Sequence, residues 1–264
     1  MKNLLFWAIA VVITLSSAIY QRTTGPTTPV RGSHEVSGEE ISFRLIRTYV
    51  RPGDAPVRVE VESEDTGGFF RYRRYPSHDT WDTIPLLRED NFLVAYIPGQ
   101  PAAGKVMYQI FLSSDSKPEP LTEDPVIIRF RDDVPAWAML PHIILMFAAM
   151  LFSTRAGLAA IFRDKTRRLT LITGISFIAG GIVFGPIVQK YAFGDYWTGW
   201  PLGTDLTDNK TAFSLIFWIV AIIKTSKNEY HRSWVITAAV VLLLIYLIPH
   251  SMFGSEIDWT QEQP

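Results

Sequence analysis

The chain has 264 residues and a formal net charge of −1, with 48% hydrophobic and 19% charged side chains; that balance excludes the basic excess expected of a nucleic-acid-binding protein. Cysteine is absent, which excludes a disulfide framework, thiol catalysis and thiolate metal sites. These averages conceal a division: residues 21–134 are polar and rich in Arg, Asp, Glu, Pro and Tyr, whereas residues 135–253 are mostly apolar.

The first twenty residues contain the apolar run Leu4–Tyr20, preceded by Lys2. A cleaved signal peptide and a retained signal anchor both fit this pattern, and the length of the run favours the anchor. Residues 21–38 are rich in Thr, Pro and Gly and read as a flexible linker.

From 39 to 134 the pattern becomes one of short alternating runs: "ISFRLIRTYV", "VRVEVES", "GFFRYRRY", "FLVAYIP", "KVMYQIFLSS" and "PVIIRFR", with "TWDTIPLL" a less regular candidate. Alternation of period two predicts half-buried strands. The intervening "RPGDAP", "DTGG", "RED" and "GQPAAG" have the composition of turns. Roughly seven strands in this space predict an antiparallel sandwich. Within it, "RYRRYPSHDTW" concentrates Arg, Tyr, His and Trp. It reads either as a binding edge, because Arg and aromatic residues are enriched at hot spots, or as a strand with one buried aromatic face and one solvated arginine face.

Four apolar stretches follow at Ala136–Ser153, Leu169–Val188, Ala212–Ile223 and Trp234–Met252. A hydrocarbon core of about 30 Å needs roughly 20 helical residues, so each predicts a membrane helix and the whole predicts a four-helix bundle over 135–253. The fourth run is short, and its helix is expected to begin earlier, near Leu206, with Thr204 or Asp205 as N-cap and Asp208 in the first turn. Basic residues set the orientation. Arg155, Arg163, Lys165, Arg167 and Arg168 place one loop in the cytoplasm, and Lys224, Lys227 and Arg232 place another there. The 189–211 loop and the acidic tail 254–264, with Glu256, Asp258 and Glu262, fall outside, as does the 39–134 domain.

The predicted fold class is therefore a mixed membrane protein: an extracytoplasmic all-β sandwich joined to an α-helical transmembrane bundle, with five spans counting the N-terminal one. The lipid bilayer is the first implied partner, and a protein partner at the outer face is the second.

His142 and His250 fall in the outer halves of two spans, each directly after a proline. Intramembrane ionisable residues point to function. The aromatic and acidic stretch "YWTGWPLGTDLTDNKT" lies on the same face, so His142, His250, Asp195, Asp205, Asp208 and Lys210, with Lys190 beside them, form a candidate ligand-binding cluster. His142 and His250 are the candidate ligands for a divalent metal or for haem. The competing reading is an interfacial aromatic belt of Tyr196, Trp197, Trp200 and Trp259 over a capped helix, with Lys210 snorkelling outward. A GxxxG at Gly181 and Gly185, with Gly174 and Gly180, predicts close helix packing or room for a flat cofactor. The usual phosphate, dinucleotide, zinc-protease, hydrolase and calcium motifs are absent from the sequence.

"YIPGQPAAGKVMYQIFLSS" resembles the corner between two strands of fibronectin type III and immunoglobulin-like domains: a strand ends at a Pro-rich turn and Tyr108 opens the next. The resemblance implies the sandwich and no activity. "GPIVQKYAFGDYWTGWPLGTDLTDNK" is similar to a stretch found in bacterial inner-membrane proteins, which implies that location and again no activity. The reading these features support is a non-catalytic binding, sensing or assembly protein of the inner membrane; the alternative is a small membrane redox or metal-handling protein.

Overall fold

A computed structural model describes residues 2–36, 38–114, 117–227, 231–250 and 252–261. Glu262, read above as part of the acidic tail, lies outside these, as does the side chain of Lys227. The chain forms two compact units. One comprises Met1–Pro26 with Val134–Ser255, and the other Thr27–Asp133 with Glu256–Pro264.

The first unit is helical. Its elements are α1 (Lys2–Thr24), α2 (Ala136–Ile161), α3 (Arg167–Phe177), a π-helical segment (Ile178–Phe184), α4 (Gly185–Phe193), α5 (Leu206–Lys227) and α6 (Arg232–Leu247). Among the described residues, four helices are long and apolar enough to cross a membrane: Lys2–Thr24, Ala136–Ile161, the continuous Arg167–Phe193, and Leu206–Ser226. The fifth expected span, Trp234–Met252, is shorter in the structure. Helix α6 stops at Leu247, where Ile248 turns extended (φ −72°, ψ 119°) ahead of Pro249. The residue before a proline is driven out of the helical region, and the proline itself has no N–H to give.

The core of this unit is built from small residues against a few large ones. Ala149, Ala156, Ala221 and Ala238 surround Trp218, Phe177 and Met150, all almost fully buried. Glycine lets two helices meet closely at one point in particular: a Cβ on Gly180 would lie 2.9 Å from Leu145 Cβ and 3.1 Å from Met146 N. Helix α1 is part of this packing. Phe6 and Ala10 are buried, Phe6 stacks on Phe162 and Trp7 packs edge-on against Phe152. The Arg155 guanidinium of α2 donates to Asn3 Oδ1 (2.5 Å) and lies over the Phe6 and Trp7 rings. At its other end, Gln21 Nε2 donates to the Tyr246 (2.9 Å) and Ile248 (3.3 Å) carbonyls.

The described residues of the second unit form eleven strands: β1 (Val30–Val36), β2 (Glu39–Leu45), β3 (Thr48–Val50), β4 (Ala55–Glu60), β5 (Gly67–Tyr75), β6 (Asp82–Pro85), β7 (Leu87–Glu89), β8 (Phe92–Ile97), β9 (Lys105–Ser113), β10 (Glu119–Pro120) and β11 (Val126–Arg131). The largest sheet runs β3-β11-β9-β5-β6 with β10 on β9; a second runs β4-β8-β7, and β1 and β2 form a hairpin. All pairs are antiparallel except β3 with β11. One apolar core joins the sheets: Val57 and Val59 of β4 and Leu93, Ala95 and Ile97 of β8 pack with Phe70, Val106, Tyr108, Ile110, Ile128 and Phe130 of β5, β9 and β11. The buried Tyr108 hydroxyl donates to the Ile46 carbonyl (2.8 Å).

The stretch 21–38, expected as a flexible linker, instead contains the last turn of α1 and all of β1. Gly32 and Ser33 are strand residues here. Gly32 faces Phe43 across the hairpin, and a Cβ on it would meet that ring at 2.7 Å. The single run "ISFRLIRTYV" is divided into β2 and β3 at Ile46–Arg47. On β5, Phe70 and Tyr72 face the core, while Arg71 and Arg73 lie over the Trp81 ring at 4.6 and 5.0 Å. Arg74 makes a paired hydrogen bond with Asp79 (2.6 and 2.9 Å), which holds that carboxyl below its ordinary pKa. The tail returns to this unit: Trp259 N donates to the Pro76 carbonyl (3.1 Å), its ring lies under Arg74, and Glu256 pairs with Lys105.

Candidate functional site

The polar stretch between α4 and α5 is organised by two carboxylates at the start of α5. Asp205 is the N-cap. Its Oδ1 accepts from Thr207 N (2.7 Å) and Asp208 N (3.4 Å), two of the amides that a helix start leaves without partners. Its Oδ2 accepts from Ser255 N (2.7 Å), Ser255 Oγ (2.8 Å) and Thr198 Oγ1 (3.3 Å). Burial works against the charge of Asp205, but the Ser255, Thr207 and Asp208 donors outweigh it and hold the carboxyl below its ordinary pKa.

Asp208, one turn into the helix, reaches back over the loop. Its Oδ2 accepts from Thr198 N (2.7 Å), Gly199 N (3.0 Å) and Gln189 Nε2 (3.2 Å). Asn209 Oδ1 takes the next amide, Trp200 N (2.6 Å). Three successive backbone N–H groups are therefore held by two adjacent side chains of α5. The loop lies so close to the helix that a Cβ on Gly199 would be 2.6 Å from Asp208 Cβ, and it folds so tightly on itself that one on Gly203 would be only 2.3 Å from the Thr198 carbonyl. Gln189 of α4 joins the cluster through Thr198 Oγ1 (2.7 Å), which in turn bonds Ser255 Oγ (2.6 Å). Trp200 and Leu202 are left outside at 78% exposure each.

Lys210 does not snorkel outward as expected. It is 7% exposed, and its ammonium donates to the Ile248 carbonyl (2.9 Å) and more weakly to that of Pro249 (3.5 Å). The cause is the early end of α6: its last carbonyls lack helical donors, and Lys210 from α5 and Gln21 from α1 supply them.

Of the two histidines, His142 Nδ1 lies 2.9 Å from the Gly180 carbonyl. A carbonyl only accepts, so the proton is on Nδ1 and Nε2 is the free acceptor. Gly180 O also accepts the Gly185 amide within the π-helical segment, so one oxygen joins α2 to the irregular part of the continuous Arg167–Phe193 helix. His250 lies near enough to Lys210, His142 and Asp205 to interact electrostatically with each.

The structure thus gathers Asp205 and Asp208 with Lys210 and His250 nearby. Asp195 is exposed and takes no part in these bonds. Lys190 closes the end of α4 by donating to the Gly194 carbonyl and lies over the Tyr196 ring. Among the described residues, no three His, Asp or Glu side chains are grouped to hold a metal ion. Gln189, Thr198, Ser255 and Gln21 were not legible as site residues, because their partners are 7 to 227 positions away along the chain. Chemically, the carboxylates act as acceptors for backbone and hydroxyl donors, an arrangement that caps a helix and pins a loop. The chain matches no family model, no curated protein and no solved structure.

Proposed function

We propose that the protein is a multi-pass component of the bacterial inner membrane and that its β unit is an extracytoplasmic, immunoglobulin-like sandwich. Its role is non-catalytic: binding, sensing or assembly at the outer membrane face. The observation behind the non-catalytic reading is the engagement of Asp205 and Asp208, whose oxygens accept several protein donors each. A carboxylate committed in this way is a poor general base and a poor metal ligand, since either task requires breaking bonds that hold the helix start.

The strand order supports the sandwich. Two sheets, β3-β11-β9-β5-β6 and β4-β8-β7, share one core, and the short β3 runs parallel to the last strand, β11. The interlocks of α1 with α2 and α6 support a retained anchor: cleavage would leave the buried Arg155 without Asn3, Phe6 and Trp7. A fifth crossing draws support from the end of α6. A 16-residue helix spans about 24 Å. Non-helical backbone at membrane depth is tolerated where protein groups satisfy it, which is the service Gln21 and Lys210 perform. Arginine and lysine in the two short loops support an outside location for the β unit and the tail.

Purified protein in detergent tests the reading by its visible absorption spectrum and metal content. A colourless, metal-free protein is expected. A Soret band or stoichiometric metal that disappears in the His142→Ala/His250→Ala double variant sinks the non-catalytic reading in favour of the redox one. A reporter fused after Pro264 is expected outside; a cytoplasmic signal there removes the fifth crossing.

A further inference from the structure

The β unit contains a preformed groove of about 480 Å³ between the β1–β2 hairpin and the segment leading into β11. Its apolar walls come from Val30, Phe43, Leu121 and Val126, and the Arg47 side chain lies among them. The size falls within the range of small-molecule sites. The walls are fixed independently of any ligand. Leu121 N donates to the Ile110 carbonyl (2.9 Å), Gln109 Nε2 to that of Thr122 (2.8 Å), and Thr122 Oγ1 to that of Asp124 (2.9 Å).

Arg47 is the unusual member. It is half-buried, and among the described residues its guanidinium has no hydrogen-bond or ion-pair partner, unlike Arg51, Arg58, Arg71 and Arg74 of the same unit. Its backbone is rigidly held: the Arg47 carbonyl accepts Arg129 N (3.1 Å), and the preceding carbonyl accepts the Tyr108 hydroxyl. Burial lowers its pKa below the ordinary guanidinium value, only partly opposed by nearby Tyr108. A cation that has lost hydration without gaining a counter-charge is stabilised by any anion that enters the groove.

The surroundings narrow the anion. Glu123 and Asp124, both exposed, also line the groove. With one cation and two anions, the local charge repels a dianionic phosphate but tolerates a monocarboxylate. An ammonium on the same ligand would meet the two acidic side chains.

We propose that this groove binds a small monocarboxylate with an apolar body, its carboxylate on Arg47, and that it prefers a zwitterion whose amino group faces Glu123 and Asp124. The site belongs wholly to the β unit and stands whether or not the non-catalytic reading above holds.

Ligand-observed saturation-transfer NMR on the full-length protein in detergent tests it with 3-phenylpropionate, L-phenylalanine and phenethylamine as probes. Saturation transfer is expected to the first two and not to the amine, with L-phenylalanine the tighter by about threefold to tenfold. Arg47→Gln should abolish both signals while leaving the thermal transition in place. Glu123→Gln/Asp124→Asn should remove the preference for L-phenylalanine and retain 3-phenylpropionate. Absence of transfer from both carboxylates up to about 10 mM, a range that would detect even weak binding, overturns the proposal. Equal transfer in Arg47→Gln or from phenethylamine overturns it too, as does displacement only by long peptides. If Arg47→Gln fails to fold, Arg47→Lys is the second variant: it keeps the charge without the planar fork, and should weaken carboxylate binding without abolishing it.

Discussion

Asp208 and Thr198 are joined across the loop that precedes α5: the Asp208 carboxylate accepts the Thr198 amide at 2.7 Å. That bond turns a stretch rich in aromatic and acidic residues into a fixed structure. The same carboxylate oxygen takes Gly199 N, and Asn209 takes Trp200 N. The loop follows the helix because its own amides are satisfied by the helix's first polar side chains.

Removing the Asp208 carboxylate should therefore cost more than an ordinary surface substitution. Asp208→Ala leaves the Thr198 and Gly199 amides without an acceptor, and a buried orphan donor costs about 1–3 kcal/mol. A loss of about 2–4 kcal/mol in thermal or denaturant unfolding in detergent is expected. Asp208→Asn keeps one oxygen and should lose roughly half as much. Equal stability of Asp208→Ala and wild type would show that the loop is not held by this residue.

The cap at Asp205 carries a pH signature. Its carboxyl is held below the ordinary value, so its contribution is complete above that ordinary value of about 3.9 and is lost only as pH falls through the lower folded value. The difference in melting temperature between wild type and Asp205→Asn should stay constant from about pH 7 to about pH 5 and shrink only below about pH 4. A difference that already collapses near pH 6 would mean that burial dominates and that the carboxyl is raised.

Lys210 and Gln21 share one acceptor, the Ile248 carbonyl. Either donor alone still partners that oxygen, so Lys210→Met and Gln21→Ala should each be mild, at about 1 kcal/mol. The double variant should lose more than their sum. Strict additivity in a double-mutant cycle by thermal unfolding would separate the two residues. Lys224→Met, at an exposed position on the same helix, is the control.

Two glycines of the continuous Arg167–Phe193 helix should respond differently to alanine. At Gly180 the new Cβ meets Leu145 Cβ and the Met146 backbone, which cannot move without shifting α2. At Gly174 it meets only Ile222 Cδ1, the end of a flexible side chain, at 2.4 Å. Gly180→Ala is expected to cost about 2–3 kcal/mol and Gly174→Ala less than about 1 kcal/mol. The Gly180 change should also alter the His142 ring signals in NMR, because the Gly180 carbonyl holds that ring.

The candidate cluster was partly legible. Asp205 as cap and Asp208 in the first turn follow from local rules, because a short apolar run forces the helix to begin at Leu206 and capping acts over three residues. Lys210 defeated the same reasoning. Its position in a first turn suggests an outward path, whereas its partner is the end of another helix 38 residues away. The 21–38 segment misled for a similar reason: Thr, Gly and Ser indicate flexibility only when no neighbouring strand takes up the backbone, and β2 does so.

The sequence by itself determined the division into a polar β part and an apolar helical part, the period-two strands and the long apolar helices, although it predicted five spans where the described residues hold four helices of spanning length. Each of these depends on side-chain pattern within a few turns or residues, and burial of an apolar face is a local property. Only the tertiary structure decided which strands pair, that the N-terminal helix locks into the bundle through Asn3 and Gln21, and that the tail packs with the β unit. It also decided that the acids of the 196–211 stretch bond backbone amides and that Arg47 lines a groove, without an ion-pair partner among the described residues. Hydrogen bonds and unmet charges depend on groups brought together from distant parts of the chain, and no local pattern encodes which of them will meet.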